Sequence, residues 1–166
     1  MSSERRAALR LRQTELIATI LSGDGYPDGF DRFRIDMTRD GLERKRAWCV
    51  ALAWPLLARS LGPQFNQLFH EYAHQVPAPP PAGSTADGRL FAQFLGQKRV
   101  LTDVGRIQAL SFDLHQRLRA GEVHERRGVV IRLTRLRKPA YVVCGVHLPG
   151  IGVRVIRVPL SGRRLS

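Results

Sequence analysis

Apolar residues recur at helical spacing along the first two thirds of the chain and at strand spacing in the last quarter, with the change of period near Gly128. Between Glu4 and Leu21 one stripe holds Leu9, Leu16, Ile17, Ile20 and Leu21, which predicts an amphipathic helix ended by Ser22-Gly23-Asp24-Gly25. Tyr26-Pro27-Asp28-Gly29-Phe30 reads as a turn, and Asp31 is placed to cap a second helix that runs through Arg46 into Ala47 to Ala53. That last stretch is apolar nearly all round and is expected to be buried. Trp54-Pro55 interrupts it, because proline removes a backbone donor and pushes its predecessor out of the helical region.

A short helix then closes at Leu61-Gly62-Pro63, and the helix from Gln64 to Gln75 carries Phe65, Leu68, Phe69 and Tyr72 on one face, in line with Val76 beyond its end. The proline-rich stretch Val76 to Gly83 is expected to run extended over the surface. Two more helices are predicted, Thr85 to Leu95 and Val100 to Leu118, the latter ended by Gly121 as its C′ residue. Beyond Gly128, β-branched runs at Val129 to Leu136, Tyr141 to Leu148 and Gly152 to Val158 are separated by Arg137-Lys138-Pro139 and Pro149-Gly150. The simplest arrangement is an antiparallel meander, which is too small to be stable alone and should pack on the helices. The expected fold is therefore α+β, mainly α. A bundle of about five helices over residues 1–121 packs with a three-stranded antiparallel sheet in a basic region, 122–166.

Charge changes this picture more than length does. The net +13 divides unevenly: residues 1–60 carry 11 Lys/Arg against 8 Asp/Glu, residues 61–120 carry 6 against 4, and residues 121–166 carry 10 against 2. The sums are +3, +2 and +8, so the positive potential concentrates on the strands, where it favours an anionic partner. Two cysteines, Cys49 and Cys144, both in apolar runs, imply small core residues and no disulfide framework, as suits a cytoplasmic protein. Neither a secretory signal nor a membrane span is expected.

His70-Glu71-Tyr72-Ala73-His74 matches the H-E-x-x-H pattern, in which two histidines hold zinc and the glutamate activates its water. With Phe65 at 0° on a helical wheel, His70 and His74 fall roughly at 140° and 180°, away from the apolar stripe. No third ligand follows at metzincin spacing, and His115, Glu122 and His124 have no motif around them. The match reads as a surface coincidence, with a zinc peptidase as the remote alternative and no metal or cofactor expected. Ser111, Asp113 and His115 do not face one another on a helix, and no phosphate-binding glycine loop occurs.

The basic strands remain. Arg132, Arg135, Arg137, Lys138, Arg154 and Arg157 are candidates for binding a peptide or another anion. Charge along a strand edge can merely deter aggregation, but an edge can also accept an extended peptide as an added strand, with flanking arginines selecting acidic segments. The same residues could contact nucleic-acid phosphates. Against that stand the single aromatic on the strands, Tyr141, and the lack of a helix-turn-helix with a basic recognition face.

A set of spaced residues adds a resemblance: Tyr26-Pro27-Asp28-Gly29-Phe30, Trp54-Pro55, Leu61-Gly62 and Phe65, then Tyr72, Pro77, Pro79, Pro80 and Pro81. Asp87-Gly88, Phe91, Phe94-Leu95 and Leu101-Thr102-Asp103-Val104 continue it. Over roughly residues 9–115 the chain resembles a family labelled a DNA-binding domain, whose members are partner proteins of multinuclear non-haem iron enzymes in ribosomal peptide maturation, methanobactin partner proteins among them. The resemblance implies a non-catalytic adaptor whose helices dock on the iron enzyme and whose C-terminal β region helps hold an acidic precursor peptide's leader. The chain differs from that family in carrying Gln108 where an Asp-x-x-x-x-Glu pair would place a carboxylate after Asp103, and in a shorter, more basic β region.

Overall fold

The computed structural model describes residues 3–22, 25–26, 29–136, 141–148, 150 and 152–159. It is mainly α with a C-terminal sheet. Among the described residues the helices are α1 (Ser3–Ser22), α2 (Arg32–Ala53), α3 (Pro55–Leu61), α4 (Gln64–Gln75), α5 (Gly83–Gln97) and α6 (Asp103–His115). The strands are β1 (Gln116–Arg119), β2 (Glu122–Glu125), β3 (Val130–Arg135), β4 (Tyr141–Leu148) and β5 (Gly152–Pro159). β1 and β2 form an antiparallel hairpin, and β3-β4-β5 form the expected meander.

Local chemistry sets the helix ends. The Asp31 side chain accepts from Phe33 N at 2.9 Å to cap α2. Arg39 of α2 donates to the carbonyls of Thr19, Ile20 and Gly25, satisfying acceptors at the end of α1. Trp54 leaves the helical region at φ −125°, and Pro55 restarts the chain as α3. Gln108 of α6 accepts from Leu57 N at 2.7 Å, so the neutral amide serves as a cap for α3.

The main core gathers Val50, Trp54, Leu57, Phe65, Phe69, Tyr72, Phe91 and Leu95 from α2 to α5. Its aromatic rings meet both stacked, as Phe65 on Phe69, and edge-on, as Phe69 on Phe91 with centroids 5.2 Å apart. Asp87, 1 % exposed, is the buried charge of this core. It takes both ends of the Arg46 guanidinium at 2.6 and 2.8 Å and the Tyr72 hydroxyl at 2.6 Å. The Arg46 side chain also donates to the Val76 and Pro77 carbonyls and lies over the Phe69 and Tyr72 rings, tying the proline segment to the body. Gly88 follows because a methyl there would come within 2.1 Å of the Trp54 ring. Asp87-Gly88 is thus a structural pair.

A second, smaller core joins α6 to the sheet through Leu110, Leu114, Val130, Leu136 and Val143. Leu114 seats against Gly145, where an added Cβ would lie 2.4 Å from it.

Three expectations are corrected. The last helix ends at His115, and Gln116 to Glu125 form the β1–β2 hairpin, turned by Ala120 (φ 52°) and Gly121 (φ 79°), so Gly121 is not a helix C′ residue. This hairpin straddles the expected boundary at residue 121. The apolar run of α2 is buried on one side only, at Ala47 and Val50, while Trp48 and Leu52 stand 62 % and 61 % exposed. The expected first helix is present as α1, which meets α2 near its C-terminal end and leaves Leu9 and Ile17 exposed. Cys49 and Cys144 are half-buried free thiols, outside both cores.

Candidate anion-binding groove

The sheet is not uniformly basic. Cross-strand register puts Arg132, Gly145 and Val155 on one face, together with Thr134, Val143 and Arg157, and this is the face that meets α6. Arg135, opposite Val142, and Arg154, opposite Val146, stand on the other face. Arg137 and Lys138 lie outside the described residues. The predicted cations therefore divide between two faces, and Arg157 sits on the open edge strand β5, two strands away from Arg132.

Arg132 is joined by arginines from elsewhere. A groove of about 450 Å³ between the helical body and the β region is lined by Arg89 and Gln93 of α5, Asp113 of α6, Arg117 of β1, Arg126 after β2 and Arg132 of β3. It continues past Arg117 into a hollow of about 530 Å³ bounded by Glu125, Arg126, Arg127, Val129 and Val130. On its other side a recess of about 240 Å³ reaches Arg106, Leu133 and Thr134. Among the described residues β3 is an edge strand, so an unpaired strand edge belongs to the groove wall.

The charges in the groove are unequal in their compensation. Arg89 is held bidentately by Asp113, at 2.8 Å to each oxygen. Arg126 is positioned by its backbone N–H on the His115 carbonyl (2.7 Å) and by its Nε on the Gln116 carbonyl (3.0 Å). Among the described residues no carboxylate pairs with Arg117, Arg126 or Arg132 within ion-pair distance. Partial burial, then the Arg132 and Arg117 charges, push the Arg126 pKa down, and Asp113 offsets only part of this. Like charges held together in a cleft lower the local potential energy of an anion, so the groove favours carboxylates or phosphates.

Two apolar surfaces accompany it. The outer face of the sheet exposes Ile131, Leu133, Ile156 and Val158, and the helical body exposes Trp48, Leu52 and Leu56 at four-residue spacing. The H-E-x-x-H residues are elsewhere: His70 and His74 on the outer side of α4, with Glu71 ion-paired to Lys98. No helix among the described residues is long and apolar enough to cross a membrane.

Arg132 was legible from sequence, whereas Arg89, Arg117 and Arg126 were not. Their signal was obscured because residues 116–119 continue the helical spacing of Leu110 and Leu114 through Leu118, which hid the hairpin that brings Arg117 and Arg126 to the groove.

Fold and groove together define a helical module carrying a small basic sheet. The chain belongs to the SCO6045-like, C-terminal domain family, whose model matches residues 10–97, from within α1 to the end of α5. It is 34% identical over 90 residues to a UPF0276 protein of Streptomyces avermitilis, an alignment covering 54% of this chain but 18% of that protein. The chain thus spans less than a fifth of that relative's length. No solved structure matches.

Proposed function

We propose that the protein is a non-catalytic adaptor: its helical body docks on a multinuclear non-haem iron enzyme, and its groove holds an acidic precursor peptide alongside β3. The observation that carries this reading is the group Arg117, Arg126 and Arg132, assembled from three separate segments and, among the described residues, without partner carboxylates beside the free edge of β3. An extended peptide added to that edge gains main-chain hydrogen bonds, while its carboxylates meet the guanidinium groups. The matched region being a small part of a much longer relative supports a module that acts beside a larger protein. The exposed Trp48, Leu52 and Leu56 offer that protein an apolar contact rich in the side-chain types that anchor interfaces.

The test has two arms. Co-expression with the iron enzyme encoded in a neighbouring gene should give a complex that survives purification. A fluorescein-labelled Glu-rich 20-residue peptide should bind the purified chain, and its Gln-substituted counterpart should not. A second reading, a DNA-binding regulator, draws on the same groove; tighter binding of duplex DNA with a sequence preference would favour it over the adaptor. Recovery of neither enzyme nor peptide at low salt would sink the adaptor.

A further inference from the structure

Away from the groove, α2 and α4 bring together Glu43, His70 and His74, whose ligand-type atoms all lie within 4.8 Å of one another. No other trio of His, Cys, Asp or Glu among the described residues comes together in this way. His70 and His74 are one turn apart, and their Nε2 atoms face each other at 3.1 Å. The other nitrogen of His70, Nδ1, lies 2.7 Å from the Glu43 carboxylate.

A carboxylate can only accept, so Glu43 fixes the proton of His70 on Nδ1 and leaves its Nε2 lone pair to accept from His74 Nε2–H, a proton that His74 gives up or moves to Nδ1 when both Nε2 atoms take a metal. Two such nitrogens on one tetrahedral ion, with bonds of about 2.0–2.1 Å, stand about 3.3 Å apart. The observed 3.1 Å needs an adjustment of only tenths of an ångström. The carboxylate behind a histidine is also the arrangement that orients metal ligands and raises their basicity. We propose that His70 and His74, steadied by Glu43, bind one divalent transition-metal ion of the zinc, nickel or copper class, with water completing its shell. Two imidazoles select against magnesium and calcium, which prefer oxygen.

This site is not the peptidase centre that the motif suggests. The glutamate that would activate the metal-bound water, Glu71, is turned to Lys98, and the carboxylate in use comes from a helix 27 residues earlier in the chain. No step of hydrolysis is implied.

The experiment is equilibrium dialysis of the full chain against zinc, with the thiols kept reduced, followed by elemental analysis, and isothermal titration with nickel as a second probe. One equivalent of each metal should bind. H70A and H74A should each abolish saturable binding, E43Q should weaken it about 10- to 100-fold as loss of a supporting carboxylate does, and E71Q should leave it unchanged. Circular dichroism of each variant checks that the fold is intact, which the exposed positions of His70 and His74 lead one to expect. No saturable binding by the wild type, full binding by the H70A/H74A double variant, or loss with E71Q equal to that with H70A would each overturn the proposal.

Discussion

Arginine has opposite roles in the two halves of this molecule. In the helical body Arg46 meets Asp87 through two hydrogen bonds, shares it with Tyr72, and lies over two aromatic rings, so its charge is neutralised within the fold. At the β region Arg117, Arg126 and Arg132 line one groove without carboxylate partners among the described residues, and the acid that shares the groove, Asp113, is occupied by Arg89. The same side chain is a structural brace where it is paired and, in the function proposed above, a binding element where it is not. Apolar surface divides similarly: the body buries its aromatic rings, whereas the outer sheet face leaves Ile131, Leu133, Ile156 and Val158 in solvent.

Asp87→Ala strands the Arg46 guanidinium in a largely buried setting, and loss of one partner of such a pair costs about 3–5 kcal/mol. Thermal unfolding should show a fall of that order; a loss below about 1 kcal/mol would mean that the pair is not what holds the body together. Gly88→Ala comes next. The new methyl meets the Trp54 ring, and the forced repacking should cost about 1–3 kcal/mol in denaturant unfolding.

A smaller effect is expected at alkaline pH. Burial, then the hydrogen bond to Asp87, raises the Tyr72 pKa well above its ordinary value of 10.0. The native state therefore keeps a proton that the unfolded chain gives up, so this contribution is complete below pH 10 and declines as pH rises above it. In Tyr72→Phe, stability measured against pH above 10 should lose this part of the slope. An unchanged slope would mean that the hydroxyl is not held by Asp87 in solution.

Much of the body was readable because its signals are local. Asp31 as a cap, the break at Trp54-Pro55 and the stripe of Phe65, Phe69 and Tyr72 each depend on residues within a few positions of one another. β4 likewise falls on its expected bounds, Tyr141–Leu148. The β1–β2 hairpin was not readable, because two-residue turns of this hand usually show Asn-Gly or Asp-Gly, and here Ala120 takes the positive φ. The half-exposure of Ala47 to Ala53 was hidden for a different reason: an apolar run does not reveal which side lacks a neighbour. Sequence separation concealed the sites themselves. Arg89 is 43 positions from Arg132, and Glu43 is 27 from His70, so only the folded chain brings either pair into one place.

In the proposed function, the arginines beside β3 bind acidic peptide while contributing little to the fold. The most direct measurement is fluorescence anisotropy of the labelled Glu-rich peptide with the wild type and with Arg126→Glu/Arg132→Glu, at low and high salt, beside the unfolding curve of each protein. The account predicts that the double variant loses tenfold or more in peptide affinity, about 1.4 kcal/mol, that salt weakens the wild-type complex, and that stability stays within about 0.5 kcal/mol. Equal peptide affinity in both proteins, or an affinity loss matched by unfolding of the variant, would contradict it.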